Sequence, residues 1–169
     1  MKTFKTQSEI ERKIVSLGEQ LTIHLSKEAR EHGIVLVANL KGAFMFLSDL
    51  AKSISFMGCE IDFIKTNRGN SDANSLSLGH LNVKGKTVVF VEDIIDSGET
   101  LTFVKQQFEK LGVNRFVSAA LLVRGSKSAA ITDYYCFQLN TDDFVIGYGM
   151  DDVDGTKRNL PNLYLRENK

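Results

Sequence analysis

Three carboxylates, Glu92, Asp93 and Asp96, follow the apolar run Val88-Val89-Phe90-Val91 and directly precede Ser97-Gly98-Glu99-Thr100. Acids grouped in this way hold a hard cation or accept hydrogen bonds from sugar hydroxyls. The small residues after them do the opposite job. Ser97 and Thr100 offer hydroxyls, Gly98 lets a ligand approach the backbone closely, and the first turn of a helix presents amide groups backed by its dipole, which together favour a phosphate. A ligand with hydroxyls or a metal at one end and a phosphate at the other satisfies both halves, and a ribose 5-phosphate is the simplest such ligand.

Other residues of chemical interest are scattered. Lys41 stands between a strand end and Gly42, a spacing suited to a loop that wraps an anion. Asp151, Asp152 and Asp154 form a short acidic run. His24, His32 and His80 lack metal-ligand spacing and receive no role. Cys59 and Cys136 lie on apolar stretches, where filling the core is expected rather than a disulfide.

The elements that must position these groups alternate along the chain. Ser8 and Glu11 have capping-box spacing ahead of a long helix whose apolar face is Ile10, Ile14, Leu17, Leu21 and Leu25. Gly33 is expected to end it. The apolar run from Ile34 to Ala38 predicts a parallel strand, Phe44 to Ile54 a helix, and Glu60 to Thr66 a second strand. From Asn67 to His80 the chain is rich in Asn, Ser, Gly and Asp and predicts a long mobile loop of functional use. The strand at Val88–Val91 then leads through the acids to a helix ending near Leu111, followed by strands at Phe116–Val123, Tyr134–Leu139 and Phe144–Tyr148. Strands and helices in alternation imply an α/β fold with a twisted, mainly parallel sheet flanked by helices. In such sheets ligands sit outside the carboxyl ends of the strands, where the three acids arrive.

At 169 residues the chain is expected to form a single domain, residues 1–169, with a small accessory lobe. Its 21 basic and 21 acidic residues balance to a net charge of zero, which argues against nucleic acid as the main partner. No signal peptide or membrane span is predicted, and a cytoplasmic protein is expected.

The segment from Val91 to Thr100 resembles the phosphoribosyl pyrophosphate signature of the type I phosphoribosyltransferases, and its Glu-Asp-Ile-Ile-Asp-Ser-Gly wording is most similar to the hypoxanthine-guanine branch. Leu40 to Phe46 resembles that branch's pyrophosphate loop, Phe144 to Asp151 its purine-binding segment, and Arg158-Asn159-Leu160-Pro161 its closing motif. The resemblance implies a hood built from the terminal segments. It also implies magnesium-dependent transfer of ribose 5-phosphate from phosphoribosyl pyrophosphate to a 6-oxopurine, hypoxanthine or guanine, in purine salvage.

Roles follow from the matched positions. The resemblance makes Glu92 and Asp93 the partners of the ribose hydroxyls and their Mg2+, with Asp151 an acid near a second metal, and Asp96 the general base. Ser97, Gly98, Glu99 and Thr100 would grip the 5′-phosphate. Lys41 and Gly42 would meet pyrophosphate, with the Leu40–Lys41 peptide in cis, and so would Arg158. Phe144 would stack on the base and the main chain of Val145 would bind its edge, beside Arg124. A homodimer or homotetramer is implied as well.

The chain departs from the family pattern at three places. Leu121-Leu122-Val123-Arg124 carries arginine where the family has lysine against the purine 6-oxo group, which opens xanthine as an alternative base. Lys65-Thr66-Asn67-Arg68 keeps a hydroxyl but loses the aromatic ring usual in the mobile loop. One extra residue separates Asp151 from Leu160. A different class is also open: the same fold can serve as a non-catalytic regulator that senses nucleotides, although the retained Asp96 disfavours it.

Overall fold

The computed structural model describes residues 1–56, 58–67, 75–77 and 81–166. In chain order the elements are β1 (Lys2–Lys5), α1 (Gln7–Glu31), β2 (Ile34–Asn39), α2 (Phe44–Ser53), β3 (Glu60–Asn67), β4 (Ser75–Ser77) and β5 (Thr87–Ile95). There follow α3 (Glu99–Lys110), β6 (Arg115–Arg124), α4 (Gly125–Ile131), β7 (Tyr134–Leu139), β8 (Phe144–Ile146) and β9 (Leu163–Arg166). The main sheet runs in the order β4-β3-β2-β5-β6-β7, with β3, β2, β5, β6 and β7 parallel and β4 antiparallel at the edge. The expected parallel sheet is therefore present. Most of the loop foreseen over 67–80, with Arg68 and His80, lies outside the described residues.

Side-chain alternation along the central strands divides the core into two layers. Leu36, Ala38, Val89 and Val91 pack with the apolar face of α1 and with Phe46, Leu47 and Leu50 of α2. Val35, Val37, Val88 and Phe90 pack on the other side with Leu101, Val104 and Phe108 of α3. Because both faces are covered, these strands read as continuous apolar runs.

Helix α1 begins two residues earlier than its sequence suggests. Thr6, not Ser8, caps it: the Thr6 amide donates to Glu9 Oε2 at 2.9 Å and the Thr6 hydroxyl accepts from the Glu9 amide. The reason is β1, which pairs antiparallel with β9 and brings the chain to its turn at Thr6. Together β1, β9 and β8 make a second, three-stranded sheet from residues at both ends of the chain.

The two halves of the main sheet meet between β2 and β5. From β2 the chain passes through α2 to β3 on one side, while β5 passes through α3 to β6 on the other. Backbone pairing of β2 with β5 ends at Ala38–Val91, and beyond that point β5 pairs only with β6 as far as Ile95–Val123. A crevice opens where the connections diverge, the place where open α/β sheets bind ligands.

Candidate active site

A cleft of about 380 Å³ occupies this crevice. Its floor is β5, which the sequence pattern ended at Val91. The strand instead continues through the acids, since Glu92 pairs with Ala120 and Ile94 with Leu122. Glu92 and Asp93 are thus held on a rigid strand rather than a turn. Glu92 is only 7% exposed, and the Asp93 Oδ1 accepts the Ile94 amide at 2.8 Å. Burial pushes the Glu92 carboxyl well above its ordinary range, with the neighbouring Asp93 charge adding to the effect and the Asn39 amide opposing it. Burial raises Asp93 as well, against the pull of its hydrogen bonds and of the Arg158 charge. A buried and a half-buried carboxylate side by side, both raised by loss of solvent, suit a hard cation that takes few protein oxygens and completes its shell from substrate and water.

After β5 the chain turns through Asp96, Ser97 and Gly98. Gly98 caps α3 with φ of 83°, a left-handed conformation that favours glycine. The Asp96 carbonyl accepts from the buried Ser128 hydroxyl of α4, which fixes the turn from below. Its side chain is exposed toward the cleft, with Oδ2 3.2 Å from Arg124 Nε. Ser97, Gly98 and Thr100 line the cleft where α3 begins. Glu99 is exposed in the first turn of α3 and lies outside the lining.

The opposite wall comes from the segment after β2. The Leu40–Lys41 peptide is cis, as the resemblance implied. Lys41 is exposed at the cleft, and Gly42 passes so close to β5 that a Cβ on it would lie 1.6 Å from Asp93 Oδ2. The carbonyl of Gly42 in turn touches Gly149, whose φ of 99° and lack of side chain allow the approach. Gly149 O accepts from Arg158 Nη1 at 2.7 Å, and Arg158 Nη2 lies 2.5 Å from Asp151 Oδ2. Both Asp151 and Arg158 line the cleft despite the extra residue between Asp151 and Leu160. That loop is closed by Asp152, a buried carboxylate bonded to Lys157 and Arg166. The Lys157 ammonium holds the Asp152 carboxyl down to about 2, helped by the Val153 amide and Arg166. Among the described residues no three carboxylate, imidazole or thiolate side chains converge as a ready-made metal cage, and Asp151 stands with Arg158 rather than with Glu92 and Asp93.

The residues expected at the base lie beyond the cleft's lining. Phe144 is 40% exposed at the start of β8, and Val145 is buried within that strand. Arg124 is pinned by the carbonyls of Thr141 and Asp143 as well as by Asp96, so it joins the loop before β8 to the candidate base. Sequence reasoning missed Asn39, Ile94, Ile95 and Leu101 as lining residues. Asn39 had one available signal, a polar side chain closing an otherwise apolar strand.

Comparison with known proteins bears on this geometry. A family model described as the phosphoribosyl transferase domain matches residues 6–153. The hypoxanthine-guanine phosphoribosyltransferase of Streptococcus pyogenes is 31% identical over 168 residues, which span 95% of this chain and 89% of that protein. Among solved structures, a hypoxanthine-guanine phosphoribosyltransferase from Bacillus anthracis superposes with a TM-score of 0.82 and 31% identity, over 96% of this chain and 95% of that one. The hypoxanthine phosphoribosyltransferase of Trypanosoma cruzi, solved in complex with the product IMP, gives a TM-score of 0.84 at 25% identity, over 98% of this chain and 89% of that one.

Proposed function

This chain belongs to the phosphoribosyl transferase family, and from that premise we propose that it is a purine-salvage enzyme transferring ribose 5-phosphate from phosphoribosyl pyrophosphate to hypoxanthine or guanine. The observation that carries this reading is the cleft itself, where buried Glu92, half-buried Asp93, the outward-facing Asp96 and the start of α3 form one wall of a space of about 380 Å³.

In the reaction the bond from the ribose anomeric carbon to pyrophosphate breaks, a bond to the purine nitrogen forms, and the ring proton of that nitrogen is lost. Asp96, on its anchored turn, accepts that proton. Ser97, Gly98 and Thr100 receive the 5′-phosphate at the helix start. Glu92 and Asp93 orient the ribose hydroxyls, and their charge favours the positive character that builds on the sugar ring. Lys41, Gly42 and Arg158 face the departing pyrophosphate from the opposite wall. Glu92 and Asp93 would hold one Mg2+ and Asp151, across the cleft beside Arg158, would stand near a second, and the metal when bound would supply charge neutralisation for the leaving group. The base sits toward Phe144 and Val145, with Arg124 at its edge. Because Arg124 is anchored by two main-chain carbonyls and presents a planar fork in place of an ammonium, xanthine is kept as a second base.

The three-stranded β1-β9-β8 sheet is the proposed hood over the base. A homo-oligomer is proposed from Leu40, Phe44, Ile61 and Phe63, large apolar side chains left exposed on β3 and on the segment from β2 into α2. A cytoplasmic location is in keeping with free Cys59 and Cys136. Among the described residues no helix is long and apolar enough to cross a membrane.

The test is release of inorganic pyrophosphate when hypoxanthine is added to the protein with phosphoribosyl pyrophosphate and Mg2+. Asp96→Asn should keep phosphoribosyl pyrophosphate binding and slow turnover by about 100-fold or more. Near-normal turnover in that variant at saturating substrates would remove Asp96 from the base role.

A further inference from the structure

Asn39 occupies the position where β2 and β5 part. The last backbone pair between the two strands is Ala38–Val91, so the next residues on each, Asn39 and Glu92, have no ladder between them. A side chain spans the gap. Asn39 Nδ2 donates toward Glu92 Oε2 at 3.2 Å and Oε1 at 3.4 Å. The same amide group reaches β3 on the other side: Nδ2 lies 3.0 Å from Thr66 Oγ1, and Oδ1 accepts the Thr66 amide at 3.1 Å. Asn39, Thr66 and Glu92 all line the cleft.

We propose that Asn39 is a positioning residue of the active site, orienting the Glu92 carboxylate toward the ribose and fixing it relative to Thr66 at the end of β3. The inference rests on the functional reading above. Its physical basis is the cost of leaving a buried carboxylate short of a donor: an amide aimed at both oxygens selects one rotamer, and an apolar side chain of similar size selects none. Since β3, β2 and β5 each contribute one of the three residues, the link also sets the width of the crevice at its first step. A purine bound near Phe144 does not meet this link, so its effect falls on one substrate and not on the other.

The experiment compares the intact protein with Asn39→Leu and Asn39→Asp, measuring phosphoribosyl pyrophosphate binding by calorimetry, the KM for each substrate, and the melting temperature. Asn39→Leu should weaken phosphoribosyl pyrophosphate by about tenfold with the hypoxanthine KM nearly unchanged. Asn39→Asp keeps an acceptor for the Thr66 amide but sets a like charge against Glu92, and should weaken it further. In a double-mutant cycle the effect of Glu92→Gln should shrink once Asn39 is Leu. Variants that bind phosphoribosyl pyrophosphate within twofold of the wild type overturn the inference, as does an equal loss for both substrates in step with a fall in melting temperature. A wild-type protein that binds no phosphoribosyl pyrophosphate overturns the functional reading first, and this inference with it.

Discussion

Gly42→Ala is the sharpest structural perturbation of the site. A Cβ at this position would lie 1.6 Å from Asp93 Oδ2 and 2.5 Å from Asp93 Cγ. An ordinary contact needs about 3.5 Å, so either the carboxylate or the loop must move by about 2 Å. The carboxylate cannot swing away freely, because Oδ1 accepts the Ile94 amide at 2.8 Å and the loop is backed by Gly149 against the Gly42 carbonyl. Gly42 does not have a positive φ, so alanine brings no backbone penalty and the fold should persist. A misplacement of 1 Å at a reacting centre costs about 100-fold, or about 2.7 kcal/mol. The predicted outcome is a fall in kcat/KM for phosphoribosyl pyrophosphate of about 100-fold or more, with little change in melting temperature. Steady-state kinetics at varied phosphoribosyl pyrophosphate provide the assay. A kcat/KM within threefold of the wild type would refute the claim that Gly42 exists to let Asp93 reach the ligand.

Two further predictions concern protons. The Asp152 carboxyl is held down to about 2 by Lys157, so its contribution to stability is full above the ordinary carboxylate pKa and disappears as pH falls toward 2. Asp152→Asn should therefore lower the melting temperature at neutral pH, with the gap to wild type closing between about pH 4 and pH 2; a gap that stays constant across that range would contradict the assignment. Glu92 and Asp93 shift the other way, being raised by burial, so the protein without cation loses stability as pH rises through their shared titration. Magnesium binding should expel the retained proton, tighten with rising pH and restore that stability; calorimetry at mildly acid pH in two buffers of different ionisation enthalpy would show no proton release if the pair is already ionised.

The parts legible in sequence are those whose signal is local. The string from Val88 to Thr100 carries its strand, acids and helix start within one stretch, and the apolar face of α1 repeats over several turns. What escaped depends on distant partners. Strands β1 and β9 are short and pair with each other across the length of the chain, and that pairing moves the α1 cap from Ser8 to Thr6. Helix α4 is a single short segment, yet Ser128 within it anchors the Asp96 turn. The apolar pattern stops at Val91, since charged residues end most buried strands, but β6 continues to pair with β5 through Glu92, Ile94 and Ile95. The extra residue between Asp151 and Leu160 leaves Arg158 in the cleft, in a loop closed by the ion pairs of Asp152 with Lys157 and Arg166. Asn39 gained its significance only when β3 and β5 were placed on either side of it.

The central claim is phosphoribosyl transfer to a 6-oxopurine, and a steady-state comparison of hypoxanthine, guanine, xanthine and adenine with phosphoribosyl pyrophosphate and Mg2+ tests it most directly. Rapid formation of IMP and GMP with stoichiometric pyrophosphate, and none of AMP, is the predicted result. Nucleotide formed from adenine alone, or from no base at all, would contradict it.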